Sequence, residues 1–527
     1  MRQRTRLIVN AVLNSLGMLV TFATRFIIIP YAIAVLGRSL YGLWAIVGQM
    51  LAYTRLLEMG LRGALSREVA LGMAQNRTEE VGKHVNTAAG YYTLVGAVLA
   101  VLGGVLAVVF PDWFDAPQDA RGAARVMVLF AVLALALTMP NYAYGAVVAG
   151  VQRYDIISGT QILGDLLRLA LVLLLLPRVS GSTGLIVLAV ASGGTLLLAA
   201  LVRTVAALRL CPQIRLTPWK MERGLLWPLM GFGINTVIYM MSLTAGLQLA
   251  QILIGAWMSP AQAADFSVAT MFVLAGHSFI VAFSVSTRVV ASRYQGLGDR
   301  HMLRKLMLRS SRYSGLIAVA AMLVLCIFAG PLFSLWVGRH YEEVDDADAL
   351  VHITRACRVL ALGFGVFWLM LPAYNVLNGM GRHRFPALLA ALAAGLSMIG
   401  AAWAVSRPDM TIDRLSVVLV APIFPAWGLV MLGYTCRATG QSVGRFLWEV
   451  GVVPALGCLP SAALALAWSA RAPAESWGAL VAQLLACAVV MAPTAWLFVL
   501  ARDDRAQLLL SAKTLLRRRP PPSEPRP

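Results

Sequence analysis

Arg25 lies inside the first long apolar stretch of the chain, between Leu7 and Leu36, and is followed by Phe26-Ile27-Ile28-Ile29-Pro30. An arginine at bilayer depth costs about 2.5–3.5 kcal/mol on insertion scales, so it normally faces a partner, a water-filled cavity or a ligand. The alternative is that it snorkels to the headgroups. Asn10, Asn14, Gly17, Thr21 and Arg25 recur at helical spacing and form one narrow polar stripe. Such a stripe, ending in a permanent cation, has the chemistry of a passage for something anionic. Further polar groups interrupt later apolar stretches. Asn235, Tyr239, Gln248 and Gln251 offer donors and acceptors, to a ligand or to neighbouring helices. Four residues are candidates for a gate or for ion coupling: Glu58, Asp165, Arg168 and His277. Each also has a plain structural reading. Asp165 and Arg168 are three apart and can neutralise each other; Glu58 stands in a ladder with Arg55 and Arg62; His277 can be a packed histidine as well as a titrating one.

Composition decides what positions these residues. Of 527 residues 59% are hydrophobic and 13% charged, and the mean hydropathy is +0.75. Soluble domains carry about 25% charged residues, so most of this chain must be solvated by lipid. At about 20 apolar residues per crossing, roughly fourteen helical spans fit the chain. They lie near 7–31, 40–60, 86–110, 124–148, 156–177, 184–208, 225–256, 264–287, 312–336, 353–378, 385–405, 415–436, 447–468 and 478–500. The expected fold is therefore all-α and polytopic, with no soluble domain of useful size. The first stretch is too long for a cleaved signal peptide and contains Arg25, so it reads as a retained helix.

A net charge of +20 resembles a nucleic-acid signal until its placement is read. Arg2, Arg4 and Arg6 precede span one; Arg62, Arg67, Arg77 and Lys83 follow span two; Arg293, Arg300, Arg304, Lys305, Arg309 and Arg312 follow span eight. The tail adds Arg502, Arg505, Lys513, Arg517, Arg518 and Arg519. With alternating spans all of these fall on one side, whereas the opposite loops are acidic, with Asp112, Asp115 and Asp119 in one and Glu342, Glu343, Asp345, Asp346 and Asp348 in another. The positive-inside rule places the basic side, and both termini, in the cytoplasm. No nucleic-acid partner is expected. Cys211, Cys326, Cys357, Cys436, Cys458 and Cys487 are dispersed, without metal-ligand spacing or a disulfide framework.

Spans one to six match spans seven to twelve. Asn235, Tyr239, Ser242 and Gly246 repeat the spacing of Asn10, Asn14, Gly17 and Thr21, and Val35-Leu36-Gly37 corresponds to Leu253-Ile254-Gly255. Both fourth spans carry a Pro-aromatic break, Pro140-Asn141-Tyr142 and Pro372-Ala373-Tyr374. An even number of spans per half makes the repeats parallel. Ala250 holds the position matching Arg25, so the cation is placed in one half only. The expected organisation is a six-helix bundle over 1–208, a cytoplasmic linker over 209–224 and a second bundle over 225–440. An appended helix pair over 441–500 and a basic, Pro-rich cytoplasmic tail over 501–527 follow.

Leu36-Gly37-Arg38-Ser39-Leu40-Tyr41-Gly42-Leu43-Trp44 resembles the first loop of bacterial polysaccharide transporters in the multidrug/oligosaccharidyl-lipid/polysaccharide (MOP) exporter superfamily. Leu57-Glu58-Met59-Gly60-Leu61-Arg62 is similar to that family's signature at the end of helix two, and Ala263-Ala264-Asp265-Phe266-Ser267-Val268-Ala269 to the start of its helix eight. The resemblance covers about residues 7–436. It implies two six-helix bundles around a central cavity lined by helices one, two, seven and eight, and a Wzx-type flippase of lipid-linked oligosaccharides in the bacterial inner membrane. In that family a first-helix arginine is implicated in holding the lipid pyrophosphate, and Arg25 is the position that matches.

On this reading the substrate is an undecaprenyl-pyrophosphate-linked O-antigen or exopolysaccharide unit, moved by alternating access. Arg25 meets phosphate, while Asn10, Asn14, Thr21, Asn235, Tyr239, Gln248 and Gln251 meet sugar hydroxyls. Membrane lipid is a partner, and polysaccharide polymerase and chain-length machinery are candidate ones. No cofactor, metal or catalytic residue is expected: there is no G-x-S-x-G, no HExxH and no phosphate-cradling glycine loop. A cation-coupled multidrug antiporter of the same superfamily is the alternative, and a membrane glycan polymerase or ligase a weaker one. Cysteine accessibility scanning tests the topology: a thiol at position 115 should be labelled from outside the cell, and labelling only from the cytoplasm would overturn the span count or the orientation.

Overall fold

The computed structural model describes residues 3–212, 221–222, 224–226, 234–342, 347–501 and 504–506, leaving aside the side chains of 3–11, 55–60, 234–241, 243–244, 285, 342 and 347. Twelve helices among the described residues are long and apolar enough to cross a membrane. One of them, Val12–Thr54, holds spans one and two in a single run. The run bends at Gly37, whose φ of 79° and ψ of 164° lie outside helical space, a conformation that glycine tolerates and a side chain does not. Span seven lies in Ile234–Trp257, so every expected span has a helical counterpart. The protein is an all-α, multi-pass membrane protein. Its most exposed large hydrophobic side chains are aliphatic, among them Leu137 at 70% and Leu429 at 71%, which lipid solvates without cost.

The prolines explain where helices break or widen. Span four is split into Arg121–Thr138 and Asn141–Gly150 at Met139-Pro140, as the Pro-aromatic motif predicts. Its repeat counterpart is not: Ala347–Gly379 runs through Pro372 unbroken. Spans twelve, thirteen and fourteen instead continue as helices with wide π-type turns near their prolines: Phe424–Met431 includes Pro425, Trp448–Val452 lies just before Pro454, and Ala495–Val499 lies just after Pro493. A proline removes one N–H and pushes away the carbonyl four residues before it; for Pro454 that carbonyl is Val450's, which lies inside the wider turn.

The helices form two compact units. One comprises Met1–Met271, Trp336–Ala356 and His383–Pro422; the other comprises Phe272–Leu335, Cys357–Arg382 and the chain from Ile423 onward. Within the first, a core of Leu61, Leu65, Val69, Val85, Tyr92, Met139, Tyr144 and Val147 joins spans two, three and four. Within the second, Phe328 of span nine packs with Ala465, Leu480 and Cys487 of the appended pair. Arg312 of span nine also meets Glu449 of span thirteen at 3.0 Å, and Arg309 and Tyr313 both donate to Asp504.

Small residues set the close packing of spans three and four. A Cβ on Gly96 would stand 2.6 Å from the Ala136 carbonyl oxygen, and one on Gly103 would stand 2.1 Å from Val132 Cγ1. Helices in lipid associate through such close backbone approach. Gly96→Leu should therefore cost on the order of 1–3 kcal/mol through overpacking. Thermal unfolding of the solubilised protein reads it, and an unchanged midpoint would mean that this interface yields freely.

Candidate functional site

Span one's polar stripe meets span five. Gly17 is buried, and a Cβ there would contact Ile162 at 3.8 Å. One turn on, Thr21 Oγ1 donates to Asp165 Oδ2 at 2.5 Å and accepts from Gln161 Nε2 at 3.1 Å. Asp165 Oδ1 accepts from Arg168 Nη2 at 2.9 Å, with the Asp165 and Arg168 side chains 13% and 24% exposed. Thr21, Asp165 and Arg168 thus form one cluster in which the acid is neutralised and hydrogen-bonded on both oxygens. Asn14 and Arg25 are exposed, so the stripe is divided between helix packing and an open face. The side chain of Asn10 lies outside the described residues.

Arg25 stands beside an aromatic shelf. Phe22 and Phe26 have ring centroids 6.2 Å apart, and Phe26 stacks on Trp336 at 5.2 Å and 13°. The Trp336 indole N–H donates to the Phe26 carbonyl at 2.8 Å. The reason lies in the sequence: Pro30 sits inside the helix and has no N–H to give the carbonyl four residues before it, which is that of Phe26. Trp336 supplies the missing donor, as lipid cannot. Periodicity in span one could not find Trp336; Pro30 inside the span, four residues after Phe26, was the signal that the Phe26 carbonyl needs an external donor.

In span seven the side chains of Asn235 and Tyr239 lie outside the described residues. Gln251 is 1% exposed, and its Nε2, like Gln248 Oε1, has no hydrogen-bond partner among the described residues. Two unsatisfied amide atoms one turn apart mark a place that takes water or a ligand hydroxyl. Ala250, the counterpart of Arg25, is fully buried. Tyr53 of span two donates to the Ala245 carbonyl at 2.8 Å, tying the two repeats together. Of the other gate candidates, the Glu58 side chain lies outside the described residues. His277 belongs to the second unit, packed against Phe364 and Phe367 at 6.1 and 5.6 Å, with Nδ1 buried and unpartnered among the described residues. No cluster of three or more His, Cys, Asp or Glu fit to hold a metal occurs among the described residues.

Residues 237–403 match the MatE family model. A comparison with curated proteins finds no match. Among solved structures, an inward-facing multidrug-resistance MATE transporter of the MOP superfamily matches at 14% identity and TM-score 0.57, covering 81% of this chain and 99% of its own. A MOP-superfamily transporter from Pyrococcus furiosus, described as having reversed binding-pocket polarity, matches at 14% identity and TM-score 0.58, covering 82% and 95%. The lipid II flippase MurJ matches at 10% identity and TM-score 0.65, covering 93% and 98%. The fold is that of the MOP-superfamily transporters. Likeness at these identities extends to architecture, and MATE transporters recur among the matches.

The Thr21–Asp165–Arg168 cluster joins span one to span five. Asp165→Asn alone leaves Arg168 without its counter-charge and should cost on the order of 2 kcal/mol, less than a fully buried pair because Arg168 keeps some exposure. Asp165→Asn with Arg168→Gln should recover most of that loss. Melting temperatures of the three proteins measure it, and a double variant no better than the single would remove the pairing from the account.

Proposed function

We propose that this protein is an exporter that moves an amphiphilic anion, an undecaprenyl-pyrophosphate-linked oligosaccharide, across the inner membrane by alternating access. The observation that carries the reading is the charge arrangement. Asp165 and Asp265 are each held by an arginine, at 2.9 and 2.5 Å, and span one carries a permanent cation, Arg25, on an exposed position. Carboxylates already neutralised by guanidinium groups are poor sites for Na⁺ or a cationic drug. A permanent planar cation suits phosphate, through parallel N–H···O bonds. The aromatic shelf of Phe22, Phe26 and Trp336 gives an apolar floor beside it, suited to a sugar face or to the first prenyl units. The greater share of this chain matched by MurJ, 93% against 81–83% for the multidrug transporters, agrees in size with the appended helix pair and supports the same reading.

A cation-coupled multidrug antiporter is the second reading. The MatE match over 237–403 and the number of multidrug transporters among the similar structures favour it. The two readings separate at Arg25. In cells that depend on this protein for a surface glycan, Arg25→Ala should lower export by about tenfold or more, at one transition-state contact's worth of binding. Arg25→Lys should keep part of the activity and Arg25→Glu should fall below Ala, with protein levels unchanged in all three. Normal glycan export by a well-expressed Arg25→Glu protein, with lost drug tolerance instead, would move the assignment to the antiporter.

A further inference from the structure

Two of the three segments that carry the family resemblance touch each other. Arg38, one residue past the Gly37 bend, forks onto Asp265 near the start of span eight: Nε to Oδ1 at 3.1 Å and Nη2 to Oδ2 at 2.5 Å. The side chains are 10% and 3% exposed. Tyr341, at the end of span nine, donates its hydroxyl to Asp265 Oδ1 at 2.7 Å, and its ring lies under the Arg38 guanidinium at 4.7 Å. Beside the pair, the Tyr41 and Ser267 hydroxyls are 3.5 Å apart. The backbones also approach closely: a Cβ on Gly42 would stand 1.8 Å from the Pro260 carbonyl oxygen, and one on Gly255 would stand 2.3 Å from Ile46. All of these residues belong to the first compact unit.

A buried ion pair adds little net stability, because desolvation of both charges opposes their attraction. An immobile staple of this size is better built from apolar side chains. What the ionic design permits is separation. When apolar faces part they expose surface to water, whereas a parted arginine and aspartate regain hydration that offsets the lost attraction. The pair also sits where such parting matters. The starts of spans two and eight are equivalent positions in the two repeats, both at the membrane end opposite the N-terminus. The small faces at Gly42 and Gly255 let the backbones of these ends approach closely. Tyr341 and Trp336 stand little more than a turn apart on span nine, so one helix end holds both the Asp265 carboxylate and the Phe26 carbonyl next to Arg25.

We propose that Arg38–Asp265, capped by Tyr341, is a latch that closes the pathway at the end opposite the N-terminus and opens once per transport cycle. The proposal rests on the alternating-access reading but on no particular substrate. It is tested with spin labels at Ser39 and Gln262 on a background without the six natural cysteines, by distance measurements in lipid nanodiscs. The unaltered pair should give a dominant short distance. Arg38→Gln and Asp265→Asn should each raise the long-distance population by at least about tenfold relative to the short one. The charge swap Arg38→Asp with Asp265→Arg should return the short distance. A structural staple predicts otherwise: single variants with lowered melting temperature and an unaltered distance distribution. That outcome, or single variants identical to wild type in both, overturns the latch. A working latch in a protein that exports no glycan would instead leave the latch standing and remove the substrate assignment.

Discussion

Lipid offers no hydrogen bonds, and that deficit governs this protein from its helix count to its functional details. Every backbone group at membrane depth must find its partner inside the protein. Proline is where the requirement becomes visible. Pro30 withdraws one N–H from span one, and the Trp336 indole replaces it on the Phe26 carbonyl. The same rule fits span thirteen, where the π-type turn Trp448–Val452 holds the Val450 carbonyl, four residues before Pro454. A need for backbone satisfaction thus brings the end of span nine to Arg25 and builds the aromatic shelf there.

Charge follows a parallel rule. A lone ionised side chain in this solvent is costly, so Asp165 is bonded by Thr21 and Arg168, and Asp265 by Arg38 and Tyr341. The two clusters differ in what they join. The Asp165 cluster ties span five to span one inside one repeat, a packing contact between neighbours. The Asp265 cluster joins equivalent ends of the two repeats, where reversible parting has a use. The same chemistry therefore serves cohesion in one place and, on our reading, motion in the other.

Much of the architecture was legible before any coordinates. The all-α class, the spans and the break at Pro140 follow from apolar length and from the backbone chemistry of proline, whereas spans one and two, read as separated by a loop, form one run bent at Gly37. The neutralised pair Asp165–Arg168 was readable from its spacing of three. The polar stripe was only half readable: helical spacing places Gly17, Thr21 and Arg25 on a common face, yet span five covers the first two and leaves the third open. Pro372 resembles Pro140 in its surroundings, but only the latter ends a helix. A proline's effect depends on whether neighbouring helices accept the bent or the straight path.

By itself the sequence determined what the solvent is, how many times the chain must cross it, where charge is tolerated and which residues have unmet needs. Those are local properties of side chains and of single helices, set by transfer free energies and backbone valence. Only the tertiary structure decided which needs meet which. Trp336 and Phe26 are 310 positions apart, and Arg38 and Asp265 are 227. No periodicity spans such distances. Pairing at that range depends on which faces of already formed helices pack together, a property of the assembled helices that no single segment carries.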